Sequence, residues 1–273
     1  MKKKSFTLGL VGLCTATLFT GCTAGLHYDN AKAYTMGGAS LSKTVTALDV
    51  NWISGNVNIV YDDVTGVSFS ESSEETLTEK TSMYYWLDGT VLRIQYAQST
   101  HGCAGVNCPS KDLTITLPYG LELGDAEICT ISADIEIDEL FAQDVQINSI
   151  SGEIEGTVYG AQDLEVDSVS GNVNVYVGSV QDIDVSSVSG NIALTMETAP
   201  ATGEVESVSG KVTLYTNPED GYLISYQTVS GRFSSELTGT LQGKTWKYGN
   251  GASVWSVETT SGDIQIQSGV FNG

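Results

Sequence analysis

The amino-acid sequence predicts an all-β protein: a single-domain parallel β-solenoid (a β-helix or β-roll) with rungs of 19–21 residues, capped by hairpins. Three observations lead there. First, Ser-Gly recurs at Ser151, Ser170, Ser189, Ser209, Ser230 and Ser261, with a degenerate copy at Ser132-Ala133 and an early one at Ser54-Gly55. The steps from Ser132 are 19, 19, 19, 20, 21 and 31 residues. Second, alignment on the serine sorts the neighbours into rows. The residue before it is Ile53, Ile131, Ile150, Val169, Val188, Val208 or Val229. The third after it is Val57, Ile135, Ile154, Val173, Ile192, Val212, Phe233 or Ile264, and the fifth is Ile59, Ile137, Val175, Leu194, Leu214 or Ile266. Polar Asn58, Glu136, Glu155, Asn174, Thr213 and Gln265 stand between them, so apolar and polar positions alternate as in a strand with one buried face. Third, no repeat contains a helical run.

A second short strand precedes each serine, as in Val145-Gln-Ile147, Leu164-Glu-Val166 and Ile183-Asp-Val185. A two-strand unit of this size cannot bury its own apolar face, whereas a stack of them can. Glycine at the corner is expected to take a positive φ, and the serine hydroxyl to bond local backbone. An antiparallel sandwich of short, evenly spaced strands is the competing architecture.

Along the chain, residues 1–21 read as a lipoprotein signal peptide. Lys2, Lys3 and Lys4 form a basic start, Ser5 to Phe19 an apolar run too short for a permanent span, and Phe19-Thr20-Gly21-Cys22 the end. That end resembles the lipobox of bacterial lipoproteins, with Phe19 in place of the usual leucine, which implies lipidation of Cys22. An ordinary secretory signal or an uncleaved anchor is the alternative. Residues 22–42, rich in small and polar types, read as a flexible tether. Residues 43–273 form the solenoid. It is interrupted over 62–112 by a hairpin and cysteine loop, with Asp88-Gly89 as the turn, and over 232–259 by an aromatic excursion.

The succession ISGNVNI, DGTVLRI, LTITLP, repeated SVSGNV, then YGNGASV and TTSGDIQI resembles the bacterial envelope family of adhesin-like proteins with β-strand repeats. The resemblance spans about residues 45–268. It implies a β-solenoid outside the cytoplasmic membrane with a role in adhesion or envelope stress, and it carries over no catalytic residues.

Charge and composition narrow the function. The 33 acids and 12 bases give −21, and loss of the three leading lysines takes this to about −24. Such a chain does not hold a phosphate backbone, so nucleic acid is not expected as a partner. His27 and His101 are the two histidines, and no G-x-S-x-G elbow supports a serine nucleophile. The recurrent serines read as corner formers. Acids such as Asp134, Glu136 and Asp138, or Asp163, Glu165 and Asp167, alternate with core positions and read as a solvated face. No EF-hand or G-G-x-G-x-D repeat supports a dedicated calcium site, and no metal or cofactor is expected. Gly249-Asn-Gly251 lacks the third glycine of a dinucleotide loop.

Cys103 and Cys108 bracket a glycine-bearing loop and are the natural disulfide of an exported protein. Cys129 aligns with the outward row Asn148, Asp167, Ser186 and Glu206, and is expected as an exposed thiol unless it pairs with one of those two. Tyr84, Tyr85, Trp86, Trp246, Tyr248 and Trp255 lie in the two irregular segments. They either bind sugars or a protein, or cap the ends of the core. The reading is a non-enzymatic, lipid-anchored protein of the cell surface, an adhesin or envelope-stress scaffold. Its expected partners are the membrane, through the N-terminal lipid, and an envelope protein or glycan. The alternative is a polysaccharide-binding or polysaccharide-degrading β-helix.

Overall fold

The computed structural model describes residues 27–99 and 108–269. Lipidation at Cys22, the signal peptide and Cys103 therefore lie outside the described residues.

Each repeat forms one rung of two strands that meet at the Ser-Gly corner. The strand before the corner stacks into one parallel wall and the strand after it into a second. In the centre, Ala161–Ser168 pairs in parallel with Val180–Ser187, and Val173–Val177 with Ile192–Met196, in unbroken register. The register places Leu164 on Ile183, Val166 on Val185, Val173 on Ile192 and Val175 on Leu194. These side chains are buried and join one core that runs the length of the stack. Each burial contributes about 1.5–3 kcal/mol, summed over five or so such residues per rung.

The order of rungs in space differs from their order in the chain. The Ser54 rung lies within Ala47–Asp62. It is flanked on one side by Leu123–Ser149 and on the other by Val91–Gln95 and Asp112–Pro118. The later pair therefore makes the terminal rung. At the far end, Ser253–Thr259 and Ile264–Ser268 insert between the Ser209 and Ser230 rungs. The last rung in sequence is thus the second to last in space. The 21-residue step takes the chain out to the end rung, and the 31-residue step is its path from there through the cap and back into the gap.

Antiparallel caps cover most of the ends. Tyr84–Asp88 pairs with Val91–Gln95 across a turn in which Gly89 has φ 65°, and Ser68–Ser72 pairs with Asp112–Pro118. At the other end Thr245–Tyr248 pairs with Tyr222–Thr228, and Thr240–Gln242 adds to it. Residues 27–42 correct the tether expectation. They form a short 3-10 turn at Ala31–Ala33, and strands Thr35–Met36 and Ala39–Ser40 dock on the N-terminal caps. The sequence hid this because pairing to an existing edge needs backbone groups and little side-chain pattern.

Lys111 ties the N-terminal insertion together. It is buried, its ammonium lies 2.5 Å from Glu71 Oε2 and 2.6 Å from the Thr81 carbonyl, and it faces the rings of Trp52 and Tyr96. Burial holds its pKa down, to about 8, against the opposing pull of Glu71.

The corners overturn one expectation. Among the Ser-Gly corners, Gly55 alone has a positive φ, at 101°. Elsewhere glycine is required by the neighbouring rung: a Cβ on Gly171 would lie 1.8 Å from the Gly152 carbonyl oxygen, and one on Gly190 1.9 Å from that of Gly171. The serine hydroxyls bond between rungs, as Ser170 Oγ donates to the Ile150 carbonyl at 3.0 Å and Ser261 Oγ to that of Val208 at 3.2 Å. In the central rungs the bond local to the corner comes from the buried hydroxyl two residues earlier, as Ser168 Oγ donates to the Gly171 carbonyl at 2.8 Å and Ser149 Oγ to that of Gly152 at 3.0 Å. That parity turns the preceding row outward. Ile131, Ile150, Val169, Val188 and Val208 are half-exposed, and Val229 is 77% exposed, where the alternation had them inside.

Candidate functional site

The polar surface of the first wall is densely acidic. Between Lys111 and Lys211 the chain holds 19 acids and no base. Pairing in register turns those on the first-wall strands into rows one rung apart, about 4.8 Å. Asp144, Asp163 and Asp182 make one row, Glu165, Asp184 and Glu204 the next, and Asp167 lies beside them. Strand alternation forces this, because the residues between them supply the core.

Asp163, Glu165, Asp182, Asp184, Glu204 and the exposed Val254 line a shallow depression of about 640 Å³. Like charges at rung spacing act on one another. Burial first, and then Glu204, Asp167, Glu165 and Glu206, push the Asp184 carboxyl up to about 6. Burial and then Asp167 raise Glu165, and burial raises Asp167 against the hydroxyl that Ser186 donates to it. Thr202 donates likewise to Asp182. The arrangement is an extended anionic surface whose charge falls in mild acid. Among the described residues no group of three or more His, Cys, Asp or Glu is placed to hold a metal ion.

The outer surface of the second wall carries a different feature. Glu136, Asp138, Glu155, Asn174 and Tyr176 line a depression of about 560 Å³. Beside it runs an aromatic ladder: Tyr61 meets Phe141 edge-on at 5.6 Å, Phe141 stacks on Tyr159 at 5.2 Å, and Tyr159 lies 6.3 Å from Tyr176. Alignment on serine missed it because these rings stand seven, nine, eight and six residues after their serines. Their shared end of the rung was the signal available. The Tyr159 ring also explains Gly178, where a Cβ would lie 2.0 Å from it.

The aromatics singled out by sequence go mostly to the core. Trp246 and Trp255 are 3% and 2% exposed, and Tyr84 is buried. Tyr85, Trp86 and Tyr248 are half-buried, with Tyr85 and Tyr248 packed on the core. Trp255 is no part of an excursion. It sits in a rung strand, over the position where Gly203 leaves room for its ring. Tyr84, Tyr85, Trp246 and Tyr248 lie in the end strands, Trp255 lies inside the stack, and Trp86 packs against Tyr34 at 5.7 Å.

The cysteines also depart from expectation. Cys129 is 1% exposed and disulfide-bonded, so it is no surface thiol. Cys108 is disulfide-bonded as well, and the pairing with Cys103 lies outside the described residues. The row that seemed outward is covered here, since Asn148 and Asp167 are buried with it.

The fold and surface together define a capped, two-walled parallel β-solenoid with an acidic flank. Its sequence from 104 to 267 matches the family described as Toastrack DUF4097, and the chain belongs to that family. Among solved structures, a putative lipid binding protein from Parabacteroides distasonis shares 15% identity over 85% of this chain and 96% of its own, at a TM-score of 0.52, which shows a common fold. A putative cell adhesion protein from Clostridium sporogenes covers 86% of this chain and 98% of its own at 16% identity and TM-score 0.36. A putative adhesin from Bacteroides fragilis covers 87% and 97% at 12% identity and TM-score 0.41. Comparison with curated proteins finds none that matches. Among the described residues no helix is long and apolar enough to cross a membrane.

Proposed function

We propose that this protein is a non-enzymatic, adhesin-like solenoid outside the cytoplasmic membrane, anchored by a lipid on Cys22, that docks a basic macromolecule on its first wall. The observation that carries this is the acidic flank of the first wall, with Asp144, Asp163 and Asp182 in one row and Glu165, Asp184 and Glu204 in the next, in a stretch that holds no base from 112 to 210. Long-range charge of this kind speeds encounter with an oppositely charged partner and excludes anionic ones. Disulfide bonds at Cys108 and Cys129 support an oxidising compartment, and Phe19-Thr20-Gly21-Cys22 supports the lipid. Tyr28 is docked on the N-terminal cap, its hydroxyl donating to the Ala97 carbonyl at 3.2 Å. Six residues from Cys22 reach at most about 20 Å, so an anchored molecule stands with that cap near the lipid and the other end outward.

The test is retention of cells on a surface coated with a basic protein. Cells carrying the wild-type chain should be retained. Cells carrying Asp163→Asn, Asp182→Asn, Asp184→Asn and Glu204→Gln together should be largely lost, and equal retention of the two would overturn the reading. In the same cells Cys22→Ala should move the protein to the soluble fraction and remove a diacylglyceryl mass.

The second-wall ladder favours a second reading, glycan binding. Half-exposed Tyr159 and Tyr176 beside Glu136 and Glu155 offer stacking faces next to hydrogen-bond acceptors. Loss of glycan retention in Tyr159→Ala with Tyr176→Ala, with the acidic flank intact, would assign the partner there.

A further inference from the structure

The two walls end in four strand edges, and three of them carry an antiparallel cap: Val91–Gln95, Asp112–Pro118 and Tyr222–Thr228. The fourth, Phe233–Ser235, pairs with Ile264–Ser268 on one side and with no strand on the other among the described residues. The Ile264 amide donates to the Arg232 carbonyl at 2.8 Å and the Glu236 amide to that of Ile266 at 2.9 Å. By strand parity the peptide groups of Phe233 and Ser235 therefore point away from the stack. An open edge of this kind is a template for another strand. The same end exposes apolar surface that the centre of the stack does not. Val229 is 77% and Leu241 54% exposed, and Tyr226, stacked on Phe233 at 4.0 Å, is half-buried with it.

The sequence at this edge is self-complementary. In Arg232-Phe-Ser-Ser-Glu236, antiparallel pairing about Ser234 places each Arg232 opposite Glu236 of the other copy, and Phe233 opposite Ser235. Arg232, Ser234 and Glu236 are all exposed on the outer side. The end is also where the bases lie. Arg232, Lys244 and Lys247 are its three, whereas residues 112–210 hold none, so two copies approach here with less repulsion than along the flank.

We propose that the C-terminal end of the solenoid is a homotypic docking surface: two copies join end to end, Phe233–Ser235 against Phe233–Ser235 across a two-fold axis at Ser234. Four backbone hydrogen bonds close the open edges, two Arg232–Glu236 pairs set the register, and Val229, Leu241 and the Tyr226–Phe233 stack lie beside the junction. The interface is isologous and uses up both edges, so assembly stops at the dimer. It goes beyond the acidic-flank reading and requires neither that partner nor the lipid.

Sedimentation of the full chain over a range of concentrations tests it, with far-UV circular dichroism to establish folding of each variant. The wild type should dimerise. Arg232→Glu alone and Glu236→Arg alone each set like charges opposite one another twice, and should each weaken the dimer about tenfold or more. The double exchange, Arg232→Glu with Glu236→Arg, restores both pairs and should recover the dimer. A wild-type chain that stays monomeric throughout overturns the proposal. So does a dimer that the single reversals leave unchanged, or one that the double exchange fails to restore. The acid-neutralised variant of the first wall should dimerise like the wild type, which separates this surface from the flank.

Discussion

A corner glycine shows how much one side chain decides here. Residues 152, 171, 190 and 210 stack so closely that a single methyl meets the carbonyl oxygen below it. Gly190→Ala should therefore force two rungs apart and cost about 2 kcal/mol or more, read as the shift in urea midpoint. Gly160→Ala is the control: it has φ 72° and open space around its Cβ position, so it should cost only about 1 kcal/mol of backbone strain. If the two substitutions cost the same, backbone conformation and not rung spacing explains the repeat. The glycine was legible from its period, but the reason for it was not, because a clash between residues 19 apart appears only when they are stacked.

At the scale of the wall, register converts a sequence of alternating acids into a field. The folded Asp184 carboxyl titrates near 6, above its ordinary 3.8, so the folded state holds that proton more tightly than the unfolded chain does. The contribution is fully present below about pH 4 and is lost as the pH rises through 6. Glu165, Asp167 and Glu206 are shifted the same way. The protein should accordingly melt at a higher temperature at pH 5 than at pH 8, and added salt should narrow the gap. Asp184→Asn should recover part of it, no more than about 1 kcal/mol, since neighbouring strands shield the carboxyl only in part and its side chain still meets solvent, which screens it. A melting temperature that climbs from pH 5 to pH 8 would mean that attraction, not repulsion, dominates this wall. The alternation of Asp163, Glu165 and Asp167 with Leu164 and Val166 made the wall legible in sequence. The aromatic ladder on the other wall was not, because Phe141, Tyr159 and Tyr176 meet in space while keeping no common distance from their serines.

The whole molecule is interlocked at both ends, since the first rung in sequence and the last each lie one place in from the end. In a solenoid wound in order, removing the C-terminal rung would expose one neighbour. Here truncation after Ala252 removes the rung between the Ser209 and Ser230 rungs and leaves both without a partner. Amide exchange in the truncated chain should lose protection over 202–216 and 222–248 together, while 161–196 keeps it. Loss confined to the final strands would mean that the end rung docks on the stack without the insert. Such long-range closure also slows folding, because the gap must be held open until the last residues arrive.

Composition, period and alternation by themselves determined the class of fold, the two-strand rung, the inward rows and the acid-rich flank, because each is a property of residues that repeat at fixed distance along the chain. The tertiary structure alone decided which rungs are neighbours, that Trp246 and Trp255 are buried, that Cys129 is buried, that residues 27–42 dock, and that among the described residues one edge of four has no strand beside it. These depend on where a strand lands in the stack. A parallel ladder accepts any rung of matching width, so its backbone hydrogen bonds carry no memory of the order in which the rungs were made.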